Sequence, residues 1–162
     1  MHRLSSLSKI VPATALALIL GASLAACSAS EVPLQPAVDA NDPACAEVII
    51  RLPDVVAEQE QRRTNAQSTG AWGDPSAIEL FCGIVPSGPT TDRCVSVNGI
   101  DWIIDPSGDP LYRFEAYGRS PGLEVFVDSE IVSGTETLLE LSSAVSHLPQ
   151  ERHCLDLYDE IG

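Results

Sequence analysis

The segment "CVSVNGIDWII", residues 94–104, decides the fold. Asn98-Gly99 stands between two alternating runs. Asn-Gly is the strongest short signal for a type I′ hairpin turn, because both central positions need a positive φ. With these two residues as the loop, Val97 faces Ile100 and Val95 faces Trp102. Val95, Val97, Ile100, Trp102 and Ile104 then share one face of an antiparallel pair. Cys94, Ser96, Asp101 and Ile103 share the other. A one-residue slip would turn the whole apolar set outward, so the turn and the pattern specify one register.

Downstream, Leu111–Tyr117 and Leu123–Val127 read as a second hairpin, with Gly118-Arg119-Ser120-Pro121-Gly122 as its loop. Tyr112, Phe114 and Ala116 alternate on its first arm, and Leu123, Val125 and Val127 on its second. Ser133-Gly134-Thr135-Glu136 has capping-box spacing and starts a helix. Leu138, Leu141, Val145 and Leu148 form one apolar stripe, and Pro149 ends it. Upstream, Ile78, Leu80, Cys82 and Ile84 alternate as one face of a strand, preceded by a turn at Trp72-Gly73-Asp74-Pro75. Residues 54–70 are polar and read equally as a solvated helix or a loop. Asp42-Pro43 supplies an N-cap and a proline at the first helical position. That helix places Cys45, Val48, Ile49 and Leu52 on one side and stops or kinks at Pro53. The order predicts an α+β domain: an antiparallel sheet of about five strands, covered by an N-terminal and a C-terminal helix.

The chain begins with Arg3 and Lys9, has no acid before Glu31, and carries an apolar run over residues 10–20. A basic head, a short apolar stretch and small residues form a secretory signal pattern. A spanning helix needs about 20 apolar residues, more than this run supplies. The run ends in Leu24-Ala25-Ala26-Cys27, which resembles the lipobox of bacterial lipoproteins. That resemblance implies cleavage before Cys27 and a diacylglycerol on its thiol. Several acyl chains, palmitate among them, would hold the protein on a membrane where one chain is marginal. The expected organisation is a signal peptide over 1–26, a lipidated cysteine and tether over 27–41, and one extracytoplasmic domain over 42–162. Ser28–Asn41, if extended, would reach about 40 Å.

Residues 1–26 hold two of the nine basic residues and none of the 23 acidic ones. The remainder therefore has seven basic against 23 acidic residues, a formal charge of −16, and no lysine. Such a chain lacks the clustered cations that nucleic acid requires, so no nucleic-acid partner is expected. The remaining cysteines, Cys45, Cys82, Cys94 and Cys154, are even in number, and outside the cytoplasm two disulfides follow. None forms a Cys-x-x-Cys pair, and His147 and His153 lack zinc spacing, so no metal or cofactor is expected. Four cysteines allow three pairings that sequence alone does not fix. Cys82–Cys94, across a short connection, with Cys45–Cys154, end to end, is the expected set. The end-to-end bridge would contribute about 4–5 kcal/mol by the chain-entropy argument. It leaves a tension: Cys82 lies on the apolar face of its strand and Cys94 opposite the apolar face of its own.

Together, Trp72-Gly73-Asp74-Pro75, Cys82-Gly83, Cys94, Val97-Asn98-Gly99, Asp101-Trp102, Tyr117-Gly118-Arg119-Ser120-Pro121, Glu124-Val125 and Cys154 resemble one family. It is domain-of-unknown-function family 3515, a set of actinobacterial exported proteins and lipoproteins. The resemblance spans most of residues 42–155. It implies an envelope location and paired cysteines, and carries no catalytic residue over.

Three residues stand out as candidate binding groups. Arg119 and Tyr117, framed by Gly and Pro, would present a guanidinium and a ring at a sheet end, suited to a carboxylate or sugar. Against that, loop charges are commonly paired locally, here with Glu124 or Glu115. Trp72 would offer a ring face to a glycan, whereas Trp102 lies on the apolar face and reads as core. The carboxylates Asp101, Asp105, Asp109, Glu115, Glu124 and Asp128 would serve glycoside hydrolysis only as a pair across a cleft. No Gly-x-Ser-x-Gly elbow occurs, and Asp105–Asp109 lacks calcium-loop spacing. The expectation is a lipid-anchored, non-catalytic binding or assembly module on the outer face of the cytoplasmic membrane. Its partner would be an envelope protein or cell-wall glycan. The alternative is a cell-wall glycan or peptide hydrolase using carboxylates near Arg119.

Overall fold

Asn98 and Gly99 take φ values of 49° and 79°, the left-handed pair that a type I′ turn needs. They join β5 (Cys94–Val97) to β6 (Ile100–Asp105), with Val95 opposite Trp102 and Val97 opposite Ile100. The turn chemistry thus sets the register residue by residue. The computed structural model describes residues 31–154; Cys27, the apolar run and residues 155–162 lie outside them.

Eight strands form one antiparallel sheet, in the order β1-β2-β3-β4-β8-β7-β6-β5. The second hairpin is β7 (Leu111–Ala116) with β8 (Gly122–Asp128), and β8 also pairs with β4 (Ile78–Ile84). The sequence pattern gave about five strands; the other three come from residues 54–72. They are β1 (Val55–Val56), β2 (Gln59–Arg62) and β3 (Thr69–Trp72). Polar β2 shows no alternation because none of its four side chains is buried, and β3 spends Gly70 under the Trp72 ring. Trp72 is therefore the end of a strand, and the turn follows it.

Two helices form, each shorter than expected: one ends at Ile49, before Leu52, and the other at Val145, before Leu148. Asp42 caps α1 (Pro43–Ile49), its carboxylate accepting from the Ala44 amide at 2.8 Å. Ser133 caps α2 (Gly134–Val145), accepting from the Glu136 amide. Leu138, Leu141 and Val145 of α2, with Leu148 in the turn beyond it, join Cys45 and Val48 of α1 in one core. That core also takes Ile78, Leu80, Trp102, Leu123 and Val125 from the sheet. Each fully buried leucine of this stripe stabilises by about 1.5–3 kcal/mol. No helix among the described residues is long and apolar enough to cross a membrane.

The disulfides pair otherwise than expected: Cys45 with Cys82, and Cys94 with Cys154. Three strands separate β4 from β5. Four strand spacings are roughly 19 Å, whereas bridged Cα atoms lie about 4.4–6.8 Å apart. The faces differ as well. Cys82 is buried on the helix-covered face, against Cys45 of α1, and Cys94 points to the opposite face. Residues 31–41, read as part of a free tether, run along the domain. The Val32 amide donates to Arg63 O, the Leu34 amide to Asn65 Oδ1 and the Asp39 amide to Gly83 O.

Candidate functional site

The face of the sheet away from the core carries Asp101, Arg113, Glu115 and Glu124 beside Phe81, Ile103 and Phe126, and two segments lie over it. One is residues 85–93, between β4 and β5; the other is the chain after Pro149. Glu115, buried in β7, holds the first. Its Oε1 accepts from the Ser87 amide at 2.7 Å and its Oε2 from the Ser87 hydroxyl at 2.7 Å. Arg113, two residues back on the same face, donates to Glu115 at 3.0 Å and also to Glu124 on β8. Burial alone would lower the Arg113 guanidinium. Hydrogen bonds and charge from Glu124 and Glu115 more than reverse this and raise it.

The second segment is held by the loop of the β7–β8 hairpin. The Glu151 amide donates to Gly118 O and the Ser120 amide to Pro149 O at 3.1 Å, an antiparallel contact. Gly118 has φ 70°, and a Cβ there would meet the Arg152 carbonyl oxygen at 2.1 Å. Only glycine allows that crossing. The tail continues to Cys154, whose amide donates to Asp101 Oδ2 at 2.9 Å. His153 Nδ1 lies 3.5 Å from the same oxygen and 3.0 Å from Gln150 Nε2.

The three candidate binding residues do not form an exposed surface. Arg119 is 6% exposed and donates from Nη1 to Leu148 O at 2.6 Å, in the turn that follows α2. Burial pushes its pKa down, with the Asp101 charge opposing. Its Nε has no partner among the described residues. The expected partners Glu124 and Glu115 pair with Arg113 instead. Trp72 is fully buried, its Nε1 donating to Pro53 O at 2.9 Å, so it is a core residue and offers no ring to a glycan. Trp102 is core as expected. Tyr117, 8% exposed, is the one of the three that borders a cavity named below.

Among the six carboxylates singled out in the sequence, Glu115 and Glu124 stand directly opposite on β7 and β8. Arg113 spans both, which makes an ion-pair network rather than the separated acid and base of a hydrolase. No cluster of metal-ligating side chains occurs among the described residues.

Between the two overlying segments opens a groove of 740 Å³. Thr90, Thr91, Asp92 and Arg93 form one wall, and Arg152 and His153 the other. Tyr117 and the Cys94–Cys154 bridge line it between them. The volume falls in the range of about 300–1,000 Å³ usual for small-molecule sites. Both walls are braced, one by Glu115 and the other by Gly118, Asp101 and the disulfide. Sequence reasoning missed Arg93 and Arg152. The available signal was their position, since each lies within two residues of a bridge cysteine. A smaller apolar cavity of 280 Å³ lies on the helix side, among Val95, Ile104, Tyr112 and the start of α2.

No curated protein and no solved structure matches the chain. A family model described as "Protein of unknown function (DUF3515)" matches residues 7–153.

Proposed function

The chain belongs to the DUF3515 family, and from that premise we propose that it is a lipid-anchored, extracytoplasmic binding module without catalytic activity. The observation that carries the reading is the braced groove beside the Cys94–Cys154 bridge. Its walls are fixed before any ligand arrives, which lowers the ordering cost of binding. Its two acid–base side chains are each turned to a neighbour: Asp92 takes the Thr90 hydroxyl at 2.7 Å, and His153 Nδ1 lies 3.5 Å from Asp101 Oδ2. Two disulfides suit an oxidising compartment, and Cys27 in its lipobox setting supplies the anchor. The partner is a cell-wall component or an envelope protein.

The test places a photoreactive residue at Thr91 in the groove, or at exposed Leu139 on α2, in the full chain in its own envelope. An adduct from Thr91 alone supports the module. Absence of any adduct at Thr91, or the same adduct from both positions, refutes it and leaves a passive structural protein. Cys27→Ser should leave the membrane fraction and lose metabolic palmitate label; retention of both would sink the anchor.

A further inference from the structure

Cations are scarce in this chain, and most of those in the described region are engaged. Of the seven arginines in residues 31–154, Arg51, Arg62, Arg63 and Arg113 are ion-paired. Arg119 is held under the tail by Leu148 O. The two left over, Arg93 and Arg152, both line the 740 Å³ groove. The Arg93 side chain makes no hydrogen bond or ion pair among the described residues. Arg152 reaches only the Ser87 carbonyl, at 3.5 Å. A single acid, Asp92, lines the groove with them, and its carboxylate is turned to Thr90. In a chain of formal charge −14, the two uncommitted guanidinium groups of the described residues therefore both border this groove, Arg93 also lining the neighbouring 280 Å³ cavity.

We propose that the groove between Arg93 and Arg152 binds an oxyanion, a carboxylate or phosphate carried on a small polar ligand. This rests on the binding-module reading and names its ligand class. The guanidinium fork matches such an oxyanion with two parallel hydrogen bonds, which a lysine could not supply. Two arginines on opposite walls would clamp it from both sides. Thr91 and His153 add further donors, while Tyr117 and the disulfide offer apolar surface to the body that carries the charge. The acidic remainder of the surface repels anions elsewhere, which favours this one site.

The test is an NMR titration of the full-length protein in micelles with glucuronate, inorganic phosphate and glucose. Glucuronate or phosphate should shift the amides of Thr91–Cys94 and His153–Cys154, and the arm that does so identifies the oxyanion; glucose should not. Arg93→Gln and Arg152→Gln should each weaken the responding anion at least fivefold. Arg63→Gln, at an exposed arginine far from the groove in sequence, should leave it unchanged and checks that the loss is local. The proposal is overturned if glucose matches the anions, if no anion shifts these amides, or if the two groove variants bind as the native protein does. An adduct at Thr91 with no anion response would leave the module reading standing and remove only the oxyanion. Failure of both experiments removes both.

Discussion

Gly99 and Gly118 both hold the left-handed conformation, at φ 79° and 70°, yet they meet different surroundings. Nothing lies within 4 Å of a Cβ built on Gly99, whereas one on Gly118 strikes the Arg152 backbone. Gly99→Ala should therefore cost about 1 kcal/mol, from backbone strain alone. Gly118→Ala adds overpacking to that strain and should cost about 2–4 kcal/mol. Urea midpoints measure both, and equal costs would refute the close crossing of the tail. Glu115 is a second such position. Glu115→Ala leaves the Ser87 amide without its acceptor and removes one partner of Arg113; a loss of about 2–4 kcal/mol is expected. Glu115→Gln keeps the shape and should recover part of it. Asp105 shows the sign of the acid response. The Ser107 hydroxyl, then the Ser107 amide at 2.9 Å, hold its carboxyl below the ordinary value. A depressed carboxyl stabilises above its unfolded pKa of about 3.9, and that contribution fades as pH falls through the lower folded value. Asp105→Asn should flatten this part of the acid limb of a stability–pH curve by lowering the neutral plateau slightly, and leave the stability below the folded pKa unmoved.

The hairpins and helices were legible because each carried two agreeing local signals. Asn98-Gly99 matched its alternation, and Ser133 with Glu136 matched the stripe behind it. Residues 54–72 carried no such agreement. β2 is polar on both faces, β1 has two residues, and β3 is Thr-Gly-Ala-Trp, so tertiary pairing rather than propensity makes them strands. The candidate site was half legible for a related reason. The Tyr117–Gly122 loop stood out as a candidate binding loop; in the structure it seats the tail through Gly118 and Arg119. Which residues the tail then brings opposite Arg93 is a long-range fact that no local pattern contains. The strand order predicts a gradient in hydrogen exchange. β4, β8 and β7 lie inside the sheet with neighbours on both sides, while β1 and β5 are edges. Amides paired between β4 and β8 should be the slowest to exchange and those of β1 and β2 among the fastest. Uniform protection across all eight strands would contradict this order.

The two bridges divide the molecule's stability into a central and a peripheral part. Cys45–Cys82 closes a separation of 37 residues inside the core, tying α1 to β4. Cys94–Cys154 closes 60 residues on the opposite face and ties the tail to an edge strand. The sequence already held the clue to this pairing, because Cys82 and Cys94 fell on opposite faces of their strands. Proximity along the chain outweighed it, and the three intervening strands make that proximity irrelevant. By chain entropy each bridge contributes about 4 kcal/mol, since the dependence on loop length is only logarithmic. The effects should nevertheless differ in place. Cys94→Ala/Cys154→Ala should release the tail, so that the amides of Ser120, Glu151 and Cys154 exchange quickly while the β4–β8 amides stay protected relative to them. Cys45→Ala/Cys82→Ala removes sulfur atoms packed in the core and should lower protection across the sheet, leaving the tail amides no faster than the rest. Peptide mapping without reduction should recover Cys45 joined to Cys82 and Cys94 joined to Cys154. Recovery of a Cys82–Cys94 peptide, or release of the same amides by both double variants, would overturn the two-part arrangement and with it the braced wall of the groove.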